Sequence, residues 1–390
     1  MRKGKWGLII LAAAAYINVY FLDGRIPYTI FYTLFLSILI SYLTCRSSVR
    51  KISGFQRIKH YKFETGDSIK IETVLDNDSI YIIPYLELRD KTIEELGEGS
   101  VYSVMAIGPW KRKRELREVT IKYRGVYTLG PIELLIQDAL RIFTWTLKIE
   151  SRKTFKVYPK VYNIERLDLK ALQSFGSVSN RQLAFEDSTS ISDIRKYIPG
   201  DNIKKVHWKL SAKNNMLYVK NFEKAGSTAV YLFIDLYKNA YTGKYAHDLE
   251  ERSVESACSI TFYLMEKAVP IELYLTNSNI SFIKAGDVSH FPRIMDMMCQ
   301  AKPNGDRVME DIIQKRLDLM NRGASVIIIT GDISGDAVSL YCSMKENGYD
   351  LIIVYVNDEK LPDEKRKMLD ACGIKQYMVK HDSQVGRCFN

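Results

Sequence analysis

The chain has 390 residues, of which 46% are hydrophobic and 26% are charged. This length exceeds what one ordinary core holds, and the composition excludes a wholly disordered protein, so we expect two or three folded units. The formal net charge of +10 suits an anionic membrane surface as well as nucleic acid and does not choose between them.

Two apolar segments open the chain, at residues 6–22 and 26–45. Each approaches the ~20 residues that a helix needs to cross a bilayer core. Because three residues separate them, we predict a transmembrane helical hairpin over residues 1–50. Basic residues flank both outer ends, so the positive-inside tendency predicts a two-pass cell-membrane protein with both termini in the cytoplasm. These flanking residues are Arg2, Lys3, Lys5, Arg46, Arg50 and Lys51.

A cleaved signal peptide is the alternative interpretation of the first segment, because the alanines at 12–15 resemble a small-residue cleavage site. The apolar stretch before these alanines is very short, and a second apolar segment follows at once. We therefore favour the membrane anchor.

Residues 51–165 show the alternation of apolar and polar residues that is typical of half-buried strands. Strand-like segments lie at 62–64, 68–75, 81–88, 101–107, 117–123 and 156–158. Turn residues separate them and no long helical periodicity intervenes, so we predict an antiparallel β-sandwich. The basic run at 111–114 is predicted to be a solvated hairpin tip, with contact to lipid headgroups as the alternative.

From residue 229 to 390, short continuous apolar segments alternate with amphipathic ones. Strands are predicted at 230–234, 270–275, 324–330, 350–356 and 376–379, and helices at 248–267, 307–321, 336–346 and 363–371. This alternation predicts a doubly wound α/β domain whose parallel sheet is covered on both faces. Ligands of such domains bind at the carboxyl ends of the strands, which makes Asp235 and the Thr330-Gly331-Asp332 sequence a candidate site.

The most specific pattern in the chain is the segment 193–213, DIRKYIPGDNIKKVHWKLSAK. It resembles the signature of the bacterial domain-of-unknown-function family 58, the MoxR-associated proteins with a von Willebrand A-like domain. The matching residues are Arg195, Tyr197, Pro199, Gly200, Asp201, Trp208, Ser211 and Ala212. Segments 123–131 and 157–161 and the N-terminal apolar pair also resemble the family, so the resemblance extends over nearly the whole chain. The sequence departs from the family at Asn202, His207 and Lys213, where Asp, Asp and Arg are usual.

The resemblance implies a Rossmann-like, von Willebrand A-like domain at 229–390, joined to the sandwich by a family-signature connector at 166–228. It also implies a partner, a MoxR-type AAA+ ATPase. The expected role is a membrane-anchored scaffold or adaptor in the assembly or remodelling of another complex, one linked to the cell envelope. The signature residues are candidate binding residues to which the sequence assigns no individual role.

The alternative function is a divalent-metal-dependent ligand-binding module with a degenerate metal site. A metal-binding von Willebrand A domain presents Asp-x-Ser-x-Ser after its first strand, and these oxygens hold a hard cation. Here Asp235 occupies the first position, but Tyr237 and Asn239 replace the two hydroxyl residues. We therefore expect no metal, and Asp235 with Asp332 are the residues to test for Mg²⁺ or Ca²⁺.

The signature region is also rich in lysine, at Lys204, Lys205, Lys209, Lys213, Lys220 and Lys224. Such a series is usually a solvated face, and the alternative is a docking surface for an acidic partner or for anionic lipid. No recognition helix or aromatic platform accompanies the charge, so no nucleic acid is expected. Trp208 is predicted to be a packing anchor.

No catalytic motif of the serine, cysteine or metalloprotease type occurs in the sequence, so we do not expect an enzyme. An unrecognised hydrolase acting on envelope precursors is the remaining catalytic hypothesis. The six cysteines include no C-x-x-C pair and are predicted to be reduced, as in a cytosolic domain.

Overall fold

The structure, a computed structural model, describes residues 13, 16–17, 25–98, 102–151, 153–175, 186–198, 206–214, 216–224 and 230–389. The chain divides into two compact units, Met1–Tyr158 and Pro159–Asn390. We call them the β unit and the α/β unit.

Helix α1 spans Arg25–Arg50 and contains the second predicted membrane segment. It is long and apolar enough to cross a membrane, and most of its surface is not covered by protein. Its C-terminal part differs, because Ser41, Cys45 and Ser48 are buried. The first predicted segment, 6–22, lies outside the described residues except at positions 13, 16 and 17, so the hairpin stays a prediction.

The rest of the described β unit is built from strands and a short helical segment, Lys91–Ile93 followed by a π-helical turn at Glu94–Glu98. The strands are β1 (Ile52–Arg57), β2 (Lys62–Glu64), β3 (Ser68–Asn77), β4 (Ile83–Asp90), β5 (Tyr102–Ile107), β6 (Lys111–Thr120), β7 (Gly125–Thr128), β8 (Ile132–Gln137), β9 (Thr144–Ile149) and β10 (Thr154–Tyr158). They form three sheets, with the orders β1-β3-β6, β5-β4-β8-β9 and β2-β10-β7. The alternation of β3 is confirmed in burial, since Ile69 and Ile71 are inside.

Two predictions for the β unit are wrong. The third sheet is not antiparallel throughout, because β2 and β10 pair in parallel. This contact joins distant parts of the chain and leaves no local signal. The basic run at 111–114 is not a hairpin tip but the start of β6, an edge strand beside β3. The turn lies earlier, at Trp110, whose φ is 53°. Charged side chains on an edge strand block pairing with other chains.

The α/β unit begins with a connector made of helix α2 (Lys170–Phe175), strand β11 (Glu186–Lys196), helix α3 (Trp208–Asn214) and strand β12 (Tyr218–Lys224). Strands β11 and β12 form a two-stranded antiparallel sheet. The described residues of the predicted signature therefore lie on or directly after β11 and on or directly before α3.

The main sheet of the α/β unit follows the connector. Its elements are β13 (Val230–Ile234), α4 (Ala246–Glu266), β14 (Ile271–Leu275), β15 (Ser281–Ala285), α5 (Phe291–Gln300), α6 (Met309–Arg316), β16 (Ser325–Thr330), α7 (Gly335–Glu346), β17 (Asp350–Val356), α8 (Asp363–Ala371) and β18 (Lys375–Val379). The strand order is β15-β14-β13-β16-β17-β18, and every pair is parallel except β14–β15.

Alternate side chains of β13 enter two different cores. Leu232 and Ile234 belong to one buried cluster, and Tyr231 and Phe233 belong to another. A strand that is buried on both faces shows up in sequence as a continuous apolar run, which is why the doubly wound sheet was predictable.

The cysteine prediction is wrong for one pair. Cys342 on α7 and Cys372 at the end of α8 form a disulfide, with Cα atoms 5.7 Å apart. The two residues are 30 positions apart in sequence, and only the packing of α7 beside α8 brings them together. Cys45, Cys258, Cys299 and Cys388 are free thiols.

Candidate functional site

The centre of the main sheet is a topological switch point. Strands β13 and β16 are neighbours, and the next strand along the chain lies to one side of β13 and to the other side of β16. Asp235 follows β13, and Thr330 is the last residue of β16. The structure brings them together, with Thr330 Oγ1 2.7 Å from Asp235 Oδ2. In a doubly wound domain this is where a ligand is expected.

Asp235 is buried, and burial raises its pKa to about 6. Hydrogen bonds from Thr330 and from the Tyr237 backbone N–H (3.0 Å) oppose this rise, while the charges of Glu310 and Asp332 add to it. The Thr330 hydroxyl also lies 2.7 Å from the carbonyl oxygen of Asp332. Because a hydroxyl has one proton, both contacts are satisfied when a protonated Asp235 donates to Thr330 and Thr330 donates to Asp332.

These residues do not fit a metal site. Both carboxyl oxygens of Asp235 are already engaged in hydrogen bonds, one with the Tyr237 N–H and the other with the Thr330 hydroxyl. At the two positions where hydroxyl ligands were sought, Asn239 Nδ2 donates to Tyr237 Oη (3.4 Å) instead. Asp332 is exposed, and its described hydrogen bonds to Thr330 use main-chain atoms. Asp235 therefore serves to cap its own loop and to tie β13 to β16.

A glycine makes this close approach possible. A Cβ atom at Gly331 would lie 2.3 Å from the carbonyl oxygen of Ala240 and 2.6 Å from the Tyr241 ring. Any side chain here would force the loop after β16 away from the loop after β13. The sequence pattern marked Gly331 only as part of the Thr330-Gly331-Asp332 candidate site and gave no sign of this packing role.

Sequence reasoning also missed Glu310 and Tyr341. Glu310 lies on α6, and its carboxylate accepts a hydrogen bond from Ser334 Oγ (2.5 Å), the residue that caps α7. Tyr341 on α7 is fully buried, and burial together with the charges of Glu310 and Asp235 raises its pKa well above 10. The packing of helices α6 and α7 brings both residues close enough to Asp235 to interact with it electrostatically. No local sequence pattern predicts this proximity.

A second polar cluster lies at the start of α4. His247, Glu250 and Glu251 each place a potential ligand atom within 4.8 Å of the others, and both carboxylates are buried. Nearby, His381 stacks on Tyr245 with ring centroids 3.9 Å apart. The spacing of these three residues, i, i+3 and i+4, was the signal that sequence analysis did not use.

The structure places the signature residues as follows. Arg195 lies near the C-terminus of β11, and Tyr197 directly follows the strand. Pro199, Gly200 and Asp201 lie outside the described residues. Ser211 on α3 is buried and accepts a hydrogen bond from the Tyr218 backbone N–H at 2.9 Å.

Trp208 is not a packing anchor, because 62% of its surface is exposed. The neighbouring His207 makes the inward contacts instead. Its backbone N–H donates to the carbonyl of Tyr218 (2.8 Å), and its ring Nδ1 accepts from the N–H of Leu210 (3.1 Å). Trp208, the first residue of α3, is left facing outward.

Three more exposed apolar side chains lie on segments next to Trp208: Ile198, Met216 and Leu217. The Tyr197 N–H donates to the carbonyl of Leu217 (2.9 Å), so the residues just after β11 flank one side of the start of β12. Residues 206–207 flank the other side, through Val206 opposite Val219. We call Ile198, Trp208, Met216 and Leu217 the signature patch.

Comparison with known proteins agrees with the signature. The model of the family described as "Protein of unknown function DUF58" matches residues 193–387, which is half of the chain. The uncharacterized protein YeaD of Bacillus subtilis (strain 168) is 21% identical over 390 residues, covering 96% of this chain and 94% of YeaD.

Two solved structures are distantly similar to this chain. The CARDB domain of a Pyrococcus furiosus protein in complex with di-metal ions has 14% identity and a TM-score of 0.20, covering 27% of this chain and 91% of that one. The Pseudomonas fluorescens alkylpurine DNA glycosylase AlkC has 10% identity and a TM-score of 0.17, covering 38% and 43%. Scores this low carry no argument about function. By the family match over its C-terminal half, the chain belongs to the DUF58 family of proteins of unknown function.

Proposed function

We propose that this protein is a membrane-anchored scaffold or adaptor of a bacterial cell, whose soluble units lie in the cytoplasm and bind a MoxR-type AAA+ ATPase. The observation that carries the proposal is the signature patch. Trp208, a residue of the family's own motif, lies exposed on segments that carry other exposed apolar side chains instead of filling a core. Adjacent exposed apolar groups mark interaction surfaces, and tryptophan is among the residues most enriched in binding hot spots.

Charge around the patch favours an acidic partner. Residues 194–224 contain eight basic and two acidic side chains. Lys209 and Lys213 are exposed on α3, the helix that begins with Trp208. An apolar centre with a charged rim is the usual anatomy of a protein interface, and the rim charges steer and orient the partner.

The membrane anchor is supported by α1 and its flanks. An apolar helix whose surface is mostly uncovered by protein is stable where lipid tails surround it. Tyr16 lies beside Phe31 with ring centroids 5.9 Å apart, as a hairpin running back along α1 would place it. Arg46, Arg50 and Lys51 at the far end favour the cytoplasmic side.

The α/β unit fits a von Willebrand A-like domain that binds without a metal. Support comes from the doubly wound sheet, with Asp235 at the carboxyl end of its first strand. Asp235 and Thr330 at the switch point bond to each other and to neighbouring backbone groups. We therefore assign recognition to the signature patch and a structural task to Asp235.

The test is a pull-down of the detergent-solubilised full chain with a MoxR-type AAA+ ATPase of the same organism, in ATP and in ADP. Trp208→Ala is expected to weaken recovery at least about tenfold, since hot-spot truncations cost more than about 1.4 kcal/mol. Lys209→Glu should also weaken recovery, because it reverses a positive charge at the rim of the signature patch.

Leu319→Ala is the matched control, because Leu319 is another exposed apolar residue of the α/β unit, outside the patch. It should leave recovery unchanged. Equal recovery with Trp208→Ala and with Leu319→Ala would remove the patch from the proposal. No association of the unmodified chain in either nucleotide would overturn the adaptor role itself.

A further inference from the structure

We infer that one end of the β unit is seated on the membrane surface, and that anionic lipid is its ligand. The inference rests on the membrane anchoring proposed above and adds a lipid-binding surface to it. The surface consists of the loop between β3 and β4, the loop between β8 and β9, and the turn before β6.

The first observation is the level at which α1 meets the β unit. Nineteen residues from Arg25 to Leu43 rise about 28 Å, close to the ~30 Å thickness of a hydrocarbon core. Near the end of this stretch, Ser41 Oγ donates to the buried Asp138 Oδ2 of the loop after β8 (2.5 Å). Two turns later Ser48 Oγ lies 3.2 Å from Ser79 Oγ. The two loops therefore meet the helix where the bilayer would end.

The second observation is an aromatic group at the same level. Tyr42 of α1 contacts Phe143 and Trp145 of the β unit, with ring centroids 5.2 and 5.9 Å apart. Arg46, one turn further along α1, donates to the Tyr42 hydroxyl at 2.6 Å. Tyrosine and tryptophan concentrate at membrane interfaces, because their rings suit the acyl boundary and their polar atoms suit the headgroups.

The third observation is that the loop tips carry exposed apolar side chains. Ile80 and Ile82 project outward between β3 and β4, and Leu140 does so between β8 and β9. Ile82 and Ala139, the neighbour of Leu140, line one cleft together with Thr44 of α1. Large aliphatic side chains at loop tips are unfavourable in water, but they suit a position against lipid at the helix exit.

The charges around these tips complete the surface. Arg141 follows Leu140 directly, and Lys111 follows the exposed Trp110, whose N–H donates to the carbonyl of Ser79 (3.2 Å). Arg46, Arg50 and Lys51 lie on or just after the helix, and the exposed Asp78 opposes them only in part. Basic residues beside a membrane span attract the anionic lipids of the cytoplasmic leaflet. This surface adjoins the membrane-spanning part of α1, which favours lipid over a protein as the ligand that covers it.

The test uses the full chain reconstituted in liposomes, with an environment-sensitive fluorophore on one introduced cysteine and Cys388→Ser as the background. Ile82→Cys and Leu140→Cys are the probe sites. Val126→Cys is the control, since Val126 is equally exposed but lies on β7 in another sheet. In phosphatidylglycerol-containing vesicles, we expect blue-shifted emission and quenching by nitroxide-labelled lipid at 82 and 140, and neither at 126.

The possible results separate this inference from the anchor. A chain that floats with the vesicles while all three labels behave alike overturns the seating and leaves the anchor intact. A blue shift at 82 and 140 without lipid quenching overturns it in favour of a protein contact. If the chain does not float with the vesicles, both the membrane anchor and the seating of the β unit on the membrane are wrong.

A charge-reversed variant tests the lipid class. Arg141→Glu with Lys111→Glu should reduce quenching in phosphatidylglycerol vesicles at least twofold, to the level in pure phosphatidylcholine, without changing flotation. Lys62→Glu with Lys70→Glu, at exposed positions on β2 and β3, is the control and should have no effect. Equal quenching in both lipids would overturn the role of anionic lipid.

Discussion

Asp235 shows how one buried carboxyl group can be structural rather than catalytic. It lies at the position of the sheet where doubly wound proteins place ligands. Its environment nevertheless raises its pKa to about 6, because burial outweighs the hydrogen bonds with Thr330 and Tyr237. The carboxyl group ties two loops together by hydrogen bonds, and its ionisation is a cost to folding.

We expect Asp235→Asn to stabilise the protein above pH 6 and to change little near pH 4. At low pH both states are protonated and the group costs nothing. Between the unfolded pKa of about 3.9 and the folded value of about 6, the unfolded state loses its proton first, so stability falls as pH rises. Above pH 6 the full cost is present, on the order of 3 kcal/mol. The amide preserves the contacts, accepting from Tyr237 and donating to Thr330.

The measurement is urea unfolding of both forms at pH 4.5, 6 and 8, with exposed Asp382→Asn as the control for one lost negative charge. The advantage of Asp235→Asn should be about a third of its full size at pH 4.5 and reach its full size at pH 8. A difference that does not depend on pH would show that the carboxyl proton is not involved.

At the residue scale, the sequence predicted where individual residues lie better than it predicted what they do. Asp235 and Thr330 could be placed because a residue that ends a buried parallel strand has a fixed location in this fold. Glu310 could not, because it reaches the site through the packing of α6 against α7. Trp208 was misjudged because size and apolarity suggest burial, whereas the backbone contacts of His207 decide which side chain turns inward.

At the scale of elements, strands buried on both faces were the most predictable. The runs SVIIIT of β16 and DLIIVYV of β17 leave no polar face, and their bounds agree with prediction to within one residue. Strand β15 and helix α5 were missed. Strand β15 is an edge strand with exposed Phe282 and Lys284, and the segment before α5 is dense in turn residues. Partly exposed elements have weaker patterns, because one side meets solvent.

The disulfide between α7 and α8 gives a second prediction at this scale. In the chain-entropy model, closing a 30-residue loop stabilises by about 3–4 kcal/mol. Reductant is therefore expected to lower the unfolding free energy of the oxidised α/β unit by about this amount. Cys342→Ser should abolish the effect of reductant, and Cys388→Ser, which removes a free thiol, should preserve it. Unfolding curves that coincide with and without reductant in the unmodified chain would contradict the bond.

At the scale of the whole molecule, the chain is two units with separate cores. The buried clusters of the β unit draw on residues between 45 and 157, and those of the α/β unit on residues between 164 and 389. Each unit therefore has what it needs to unfold cooperatively by itself. This division also separates the two proposed tasks, since lipid binding is assigned to the β unit and partner binding to the α/β unit.

Gly331→Ala tests this independence. The new Cβ atom would lie 2.3 Å from the carbonyl oxygen of Ala240, and overpacking of this kind costs about 1–3 kcal/mol. We expect the melting temperature of the α/β unit to fall by roughly 2–12 °C, and that of the β unit to stay the same. Calorimetry gives both transitions, and the fluorescence of Trp110 and Trp145 in the β unit assigns them.

Gly335→Ala is the matched control, four residues away. A Cβ atom there meets nothing within 4 Å, and Gly335 begins α7, where alanine is the better helix former by up to about 1 kcal/mol. It should leave the α/β transition unchanged or raise it slightly. If Gly331→Ala lowered both transitions together, the two cores would be energetically coupled, and a ligand of one unit would then also stabilise the other.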